Sequence, residues 1–81
     1  MTYFVRREDL VTGEMTRSGP YATEQEAWWA LENSADMDCE ADPDVVGTNR
    51  QHATPYATHC TKKELVNSDG DPIYMFSIES E

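Results

Sequence analysis

Ala22-Thr23-Glu24-Gln25-Glu26-Ala27-Trp28-Trp29-Ala30-Leu31-Glu32-Asn33-Ser34-Ala35-Asp36 is the stretch whose reading decides the fold. Thr23 followed by Glu26 is a capping box: the hydroxyl accepts the N–H at the third helical position and the glutamate reaches back to the Thr23 N–H. Glu24 and Glu26 set negative charge where the helix dipole favours it. Gly19-Pro20 punctuates the chain just upstream. The interior is rich in Ala, Leu, Glu and Gln, all good formers. Asn33, Ser34 and Asp36 are poor ones, so the helix is expected to fade near Asp36.

At 100° per residue, Ala27, Leu31, Ala35 and Trp28 share one arc, the face expected to be buried. Trp29 falls on the far side beside Gln25, Glu26, Glu32 and Asn33. Two adjacent helical residues cannot both enter a one-sided core. Either the helix is covered on two sides, or Trp29 folds over its edge under a loop, or Trp29 stands in solvent. In the last case it is a binding anchor, because an indole offers a large apolar body and a polar tip.

Working outward, residues 2–8 (Thr-Tyr-Phe-Val-Arg-Arg-Glu) read as a strand, with either Phe4 or the Tyr3/Val5 pair inward. Thr12-Gly13 is a turn, and residues 14–18 return as the second strand of a hairpin. Arg6, Arg7 and Arg17 are expected to pair across that hairpin with Glu8 and Glu14. Beyond the helix, residues 36–44 read as an extended acidic loop broken by Pro43. Val45-Val46 begins a short strand before Gly47, and residues 49–59 carry no clear period. Residues 62–66 and 72–78 bracket Asn67-Ser68-Asp69-Gly70-Asp71, a second hairpin around an Asp-Gly turn. Alternation places Tyr74, Phe76 and Ile78 on one face and Ile73 and Met75 on the other. The expectation is a small single α+β domain over residues 1–81, with about four antiparallel strands packed on one helix in ββαββ order.

The net charge is −10, from 16 acidic against 6 basic residues. That balance argues against a nucleic-acid or anionic-membrane surface, both of which call for basic patches. It leaves solubility (a lysine-poor acidic surface also suits a high-salt cytoplasm), metal binding, or attraction to a basic partner. No apolar run reaches transmembrane length, and the N-terminus lacks signal-peptide character. Cytoplasmic residence is therefore expected, with Cys39 and Cys60 as thiols.

Asp36, Asp38, Glu40, Asp42 and Asp44 alternate strictly. In an extended chain their carboxylates would follow one another at about 6.5–7 Å, close to the phosphate repeat of a nucleic-acid strand. Ala41 stands where a calcium loop needs glycine, and no second helix follows. Cys39, His52, His59 and Cys60 complete a two-Cys, two-His set for structural zinc, but neither a CxxC knuckle nor a helical HxxxH pair brings two ligands together. No phosphate loop, dinucleotide fingerprint or nucleophile elbow is present. A non-catalytic protein needing no cofactor is expected.

In size, charge and compactness the chain resembles the small acidic inhibitors encoded by phages and mobile elements, including anti-CRISPR and anti-restriction proteins, some of which mimic DNA. The resemblance carries no residue-by-residue roles. It implies a module that binds a basic protein or nucleoprotein complex rather than nucleic acid or membrane. Here Asp36, Asp38, Glu40, Asp42 and Asp44 would attract the partner, and Trp29 would anchor it. The rival readings are the zinc domain and a protein that pairs with itself as a homodimer.

Overall fold

The computed structural model describes residues 1–52, 54 and 60–81. Its elements run β1 (Tyr3–Asp9), β2 (Met15–Tyr21), α1 (Glu24–Ala41), β3 (Gly47–His52), β4 (Cys60–Val66) and β5 (Pro72–Ser80). The strands form one sheet in the order β2-β1-β5-β4-β3, antiparallel at every pairing. The helix lies on one face, against β1, β2, β4 and β5.

Strand alternation decides what meets the helix. On β5, Phe76 is fully buried while Tyr74 and Ile78 pack against the same core. On β1, Val5 is buried and Tyr3 packs beside it, so the Tyr3/Val5 pair faces inward. Phe4 occupies the open face, its ring 3.7 Å beneath the Arg17 guanidinium carbon. On β4 the register steps from Gln51↔Lys62 to His52↔Cys60 and skips Thr61. This bulge returns Cys60 to the helix face with Lys63 and Leu65. From the helix, Ala27, Leu31 and Ala35 are fully buried. The two alanines let α1 approach the sheet, and Leu31 fills the space between them, its burial contributing about 2 kcal/mol.

The α+β class, the single helix and both hairpins stand. The sheet has five strands rather than about four, in ββαβββ order. The added strand is β3, which begins at Gly47 rather than at the expected Val45-Val46 and runs to His52. Its sequence Gly-Thr-Asn-Arg-Gln-His is polar throughout and exposed beyond Gly47. As an edge strand paired only to β4 it needs no apolar face, so it leaves no period in the sequence. The second hairpin is as expected: the Asn67 side chain accepts the Asp69 and Asp71 N–H groups, and Gly70 supplies the turn's φ of 82°.

The helix is also longer than expected. It runs to Ala41, so Asp36, Asp38 and Glu40 are helical and only Asp42 and Asp44 lie beyond it. The extended row of five carboxylates does not form, because alternate residues on a helix turn 200° and point apart. Pro43 stops the helix one turn later than the propensities imply, by holding Asp42 extended at φ −114°, ψ 108°. The aspartates are tolerated because Asp38 is taken up by Arg7 and Cys39 packs on the core.

Among the described residues the arginines do not pair across the hairpin, and only Glu8 of its two glutamates is engaged. Arg6 reaches Glu8 along its own strand and Glu79 on β5. Arg17 reaches Glu79 and Glu81. The cause is topological: β5 lies next to β1, so C-terminal acids come within reach. β2 extends through Gly19-Pro20, tolerable on an edge strand. Gly19 is obligatory there, with φ 128° and a built Cβ only 3.0 Å from the Tyr3 carbonyl oxygen.

Candidate functional site

All six basic residues lie on strands, whereas α1 carries six acids and no base. The sheet neutralises the acids that face it. Arg7 grips Asp38 with Nε and a terminal nitrogen at 2.6 and 3.1 Å. The bond to Asp38 raises the Arg7 pKa above its ordinary value despite burial.

Glu32 serves the other flank of the helix. It accepts from Lys63 Nζ at 2.9 Å, Cys60 Sγ at 3.0 Å and Arg50 at 3.3 Å. Burial works to raise the Glu32 pKa, but the bonds from Cys60 and Lys63 and the nearby positive charges outweigh it and hold the carboxyl below its usual range. Lys63 is itself 2% exposed, so this is a paired charge inside the helix–sheet layer. Such pairs specify how two layers dock more than they stabilise them.

The outer surface of the helix is different. Trp29, Asn33, Asp36 and Glu40 follow at i, i+4, i+7 and i+11 and form one stripe. Trp29 is 53% exposed and Met37, beside the stripe, is 70% exposed. Trp28, the neighbouring indole, packs against the core, so the helix is covered on one side and Trp29 stands in solvent. Asp36 and Glu40 are exposed and lie about 6 Å apart along the axis. No residue of the last helical turn is basic, so their charge also lies unopposed at the negative end of the dipole.

Of the acids singled out in the sequence, Asp36 and Glu40 therefore join Trp29. Asp38 faces the sheet and is occupied by Arg7. Asp42 caps the helix C-terminus, accepts the Asp44 N–H at 2.9 Å and takes the Tyr74 hydroxyl at 2.7 Å. That last bond, with burial, pushes the Tyr74 pKa up to about 12. Asp44 is exposed beyond the cap. Met37 was not singled out, although its place two turns after Trp29 marks it as a second apolar group on the same side.

The zinc set is not assembled among the described residues. His59 lies outside them. Cys60 is buried against Glu32, Cys39 is half-buried on α1, and His52 is exposed on the edge strand. Burial pushes both thiols up, which favours the protonated form at neutral pH. Among the described residues no three His, Cys, Asp or Glu side chains converge to hold a metal ion. No described helix is long and apolar enough to cross a membrane. Comparison with family models, with curated proteins and with solved structures finds no match to this chain.

Proposed function

We propose that this chain is a non-catalytic protein-binding module that docks the outer face of α1 on a basic nucleic-acid-handling protein or complex and inhibits it, in the manner of the phage and mobile-element inhibitors it resembles. The observation that carries this reading is the Trp29–Met37 pair, two large apolar side chains held in solvent beside Asp36 and Glu40. An exposed indole costs solubility unless it has a use, and a rim of like charge selects partners of opposite sign. Attraction here comes from a charged helix surface. A strand-like row of five carboxylates is not needed for it, and nucleic-acid mimicry reduces to the Asp36/Glu40 pair.

Self-association is the second reading, favoured by the β3 edge, which is exposed and carries no proline guard. A net charge of −10 on each copy opposes it.

Affinity capture at low and high salt, with the captured proteins identified, tests the proposal. Wild type is expected to enrich basic nucleic-acid-binding proteins at low salt and lose them at high salt, and Trp29→Ala and Asp36→Asn/Glu40→Gln are expected to enrich far less. Capture unchanged in both variants would sink the helix-face reading, and a concentration-dependent dimer mass would move the weight to self-pairing.

A further inference from the structure

Where α1 stops, the turn after β1, the residues leading to β3 and the β4–β5 turn frame a cleft of about 560 Å³. Its lining is mixed, with one apolar stretch made by Val11, Pro43, Val46 and Ile73. Val11 and Val46, 76% and 66% exposed, belong to segments on either side of β5, which carries Ile73, and Pro43 also lines the cleft. Two β-branched side chains this open, bordering one concavity, are surface that a ligand would dry.

Every charged residue in the lining is an aspartate: Asp9, Asp42 and Asp44. Asp9 Oδ1 is tied to the Val11 and Thr12 N–H groups, and Asp42 to Asp44 and Tyr74. Those donors are neutral and bring no positive charge to either carboxylate. Asp44 has no partner for its carboxylate among the described residues. Arg7 stands 5.0 Å over the Tyr74 ring, but its guanidinium is already committed to Asp38. The cleft thus sets an apolar stretch beside three carboxylates, and it is complementary to a group with an aliphatic stem and a cationic, multi-donor end.

We propose that this cleft takes an arginine side chain of the basic protein that docks on α1, an inference that rests on the function proposed above. The arginine methylenes lie along Val11, Val46 and Ile73, and the planar guanidinium meets Asp44 in the two-bond geometry that lysine cannot offer. The distance fits a single partner segment. Trp29 lies thirteen residues before Asp42, about 20 Å along the helix axis, which roughly six residues of extended chain would span.

The test uses amide NMR spectra of the full chain, titrated with the blocked tripeptide acetyl-Leu-Arg-Leu-amide and with its citrulline counterpart, which keeps the shape and removes the charge. Saturable shifts at Val11, Thr12, Asp44, Val46 and Ser68 are expected, about ten-fold weaker with citrulline. They should vanish in Val46→Arg, an exposed position from which the protein's own guanidinium fills the cleft, while the rest of that spectrum stays native. Shifts that fail to saturate, that are equal for both peptides, or that persist in Val46→Arg overturn the proposal. If the cleft fails while Trp29-dependent capture survives, the helix-face reading stands without it. Loss of Trp29-dependent capture removes both.

Discussion

Arg7 and Asp38, 31 residues apart in the chain, meet through two side-chain hydrogen bonds of 2.6 and 3.1 Å. The pair joins β1, near the centre of the sheet, to the last turns of α1. The side chains are 28% and 19% exposed, so the bonds are only partly screened by solvent. Asp38→Asn keeps the shape and removes the charge, and is expected to cost about 2 kcal/mol, lowering Tm by roughly 8–16 °C in a domain of this size. Asp36→Asn, on the outer face, is expected to stay within about 0.5 kcal/mol. Thermal and urea unfolding of the two variants checks the contrast, and a loss at Asp38 as small as that expected for Asp36 would show that Asp38 has no structural role.

Glu40 offers a test in which stability and binding move oppositely. It sits in the last turn of α1, where the dipole disfavours a carboxylate and no base compensates. Glu40→Lys is expected to stabilise by about 0.5 kcal/mol at low salt and to weaken capture of a basic partner. Urea midpoints paired with capture yields make the comparison. A variant that is more stable and binds equally well would remove Glu40 from the docking face.

How much was legible follows from what leaves a periodic trace. The capping threonine, the buried Ala27–Leu31–Ala35 face and the Tyr74–Phe76–Ile78 alternation were all readable, because burial on one side imposes 3.6- or 2-residue spacing. The Thr23 hydroxyl does accept the Glu26 N–H, although Glu26 takes the Ala22 N–H rather than that of Thr23. A short strand was expected at Val45-Val46, but the course of β3 from Gly47 to His52 was hidden because an edge strand held by backbone bonds needs no apolar residues. The course of residues 37–41 was hidden because its stabilising partners, Arg7 and the core around Cys39, are distant in sequence. The same long-range contact turned Asp38 from a candidate docking group into a structural one. Trp29 was identified from the helical wheel, but its exposure depended on which sides of the helix the sheet left open.

The buried Glu32–Lys63–Cys60 cluster predicts both a mutational and a pH signature. Lys63→Met removes the most buried cation from Glu32, leaving it only the exposed Arg50 and the Cys60 thiol. It is expected to cost about 3 kcal/mol, and adding Glu32→Leu to it should recover most of the loss. Glu32 is held below its ordinary pKa of 4.5, so its contribution is present above that pH and is lost as pH falls through the lowered value. The Cys60 thiol is raised above 9.0 by burial and its bond to Glu32, so that contribution is present below pH 9.0 and is lost as pH rises through the raised value. Urea midpoints across pH 3–10 should therefore fall at both ends. Glu32→Gln should flatten the acid limb relative to wild type, a comparison in which the relief of overall charge repulsion cancels. Thiol labelling in the native state is expected to modify Cys39 about ten-fold faster than Cys60 or more, and equal rates would contradict the burial of Cys60.

The two tryptophans provide the sharpest separation of fold from function. Trp28 packs against the core while Trp29 is 53% exposed. Trp28→Ala is expected to cost about 3 kcal/mol through lost packing, and Trp29→Ala less than about 0.5 kcal/mol. Acrylamide should quench the single-tryptophan variant that keeps Trp29 several-fold more than the one that keeps Trp28, with Phe as the replacement in each case. Addition of a bound basic partner should protect Trp29 alone. If Trp29→Ala unfolds the domain as readily as Trp28→Ala, the indole belongs to the core and the docking face loses its anchor. If it leaves stability intact and abolishes capture, the helix surface is doing work that the fold does not require.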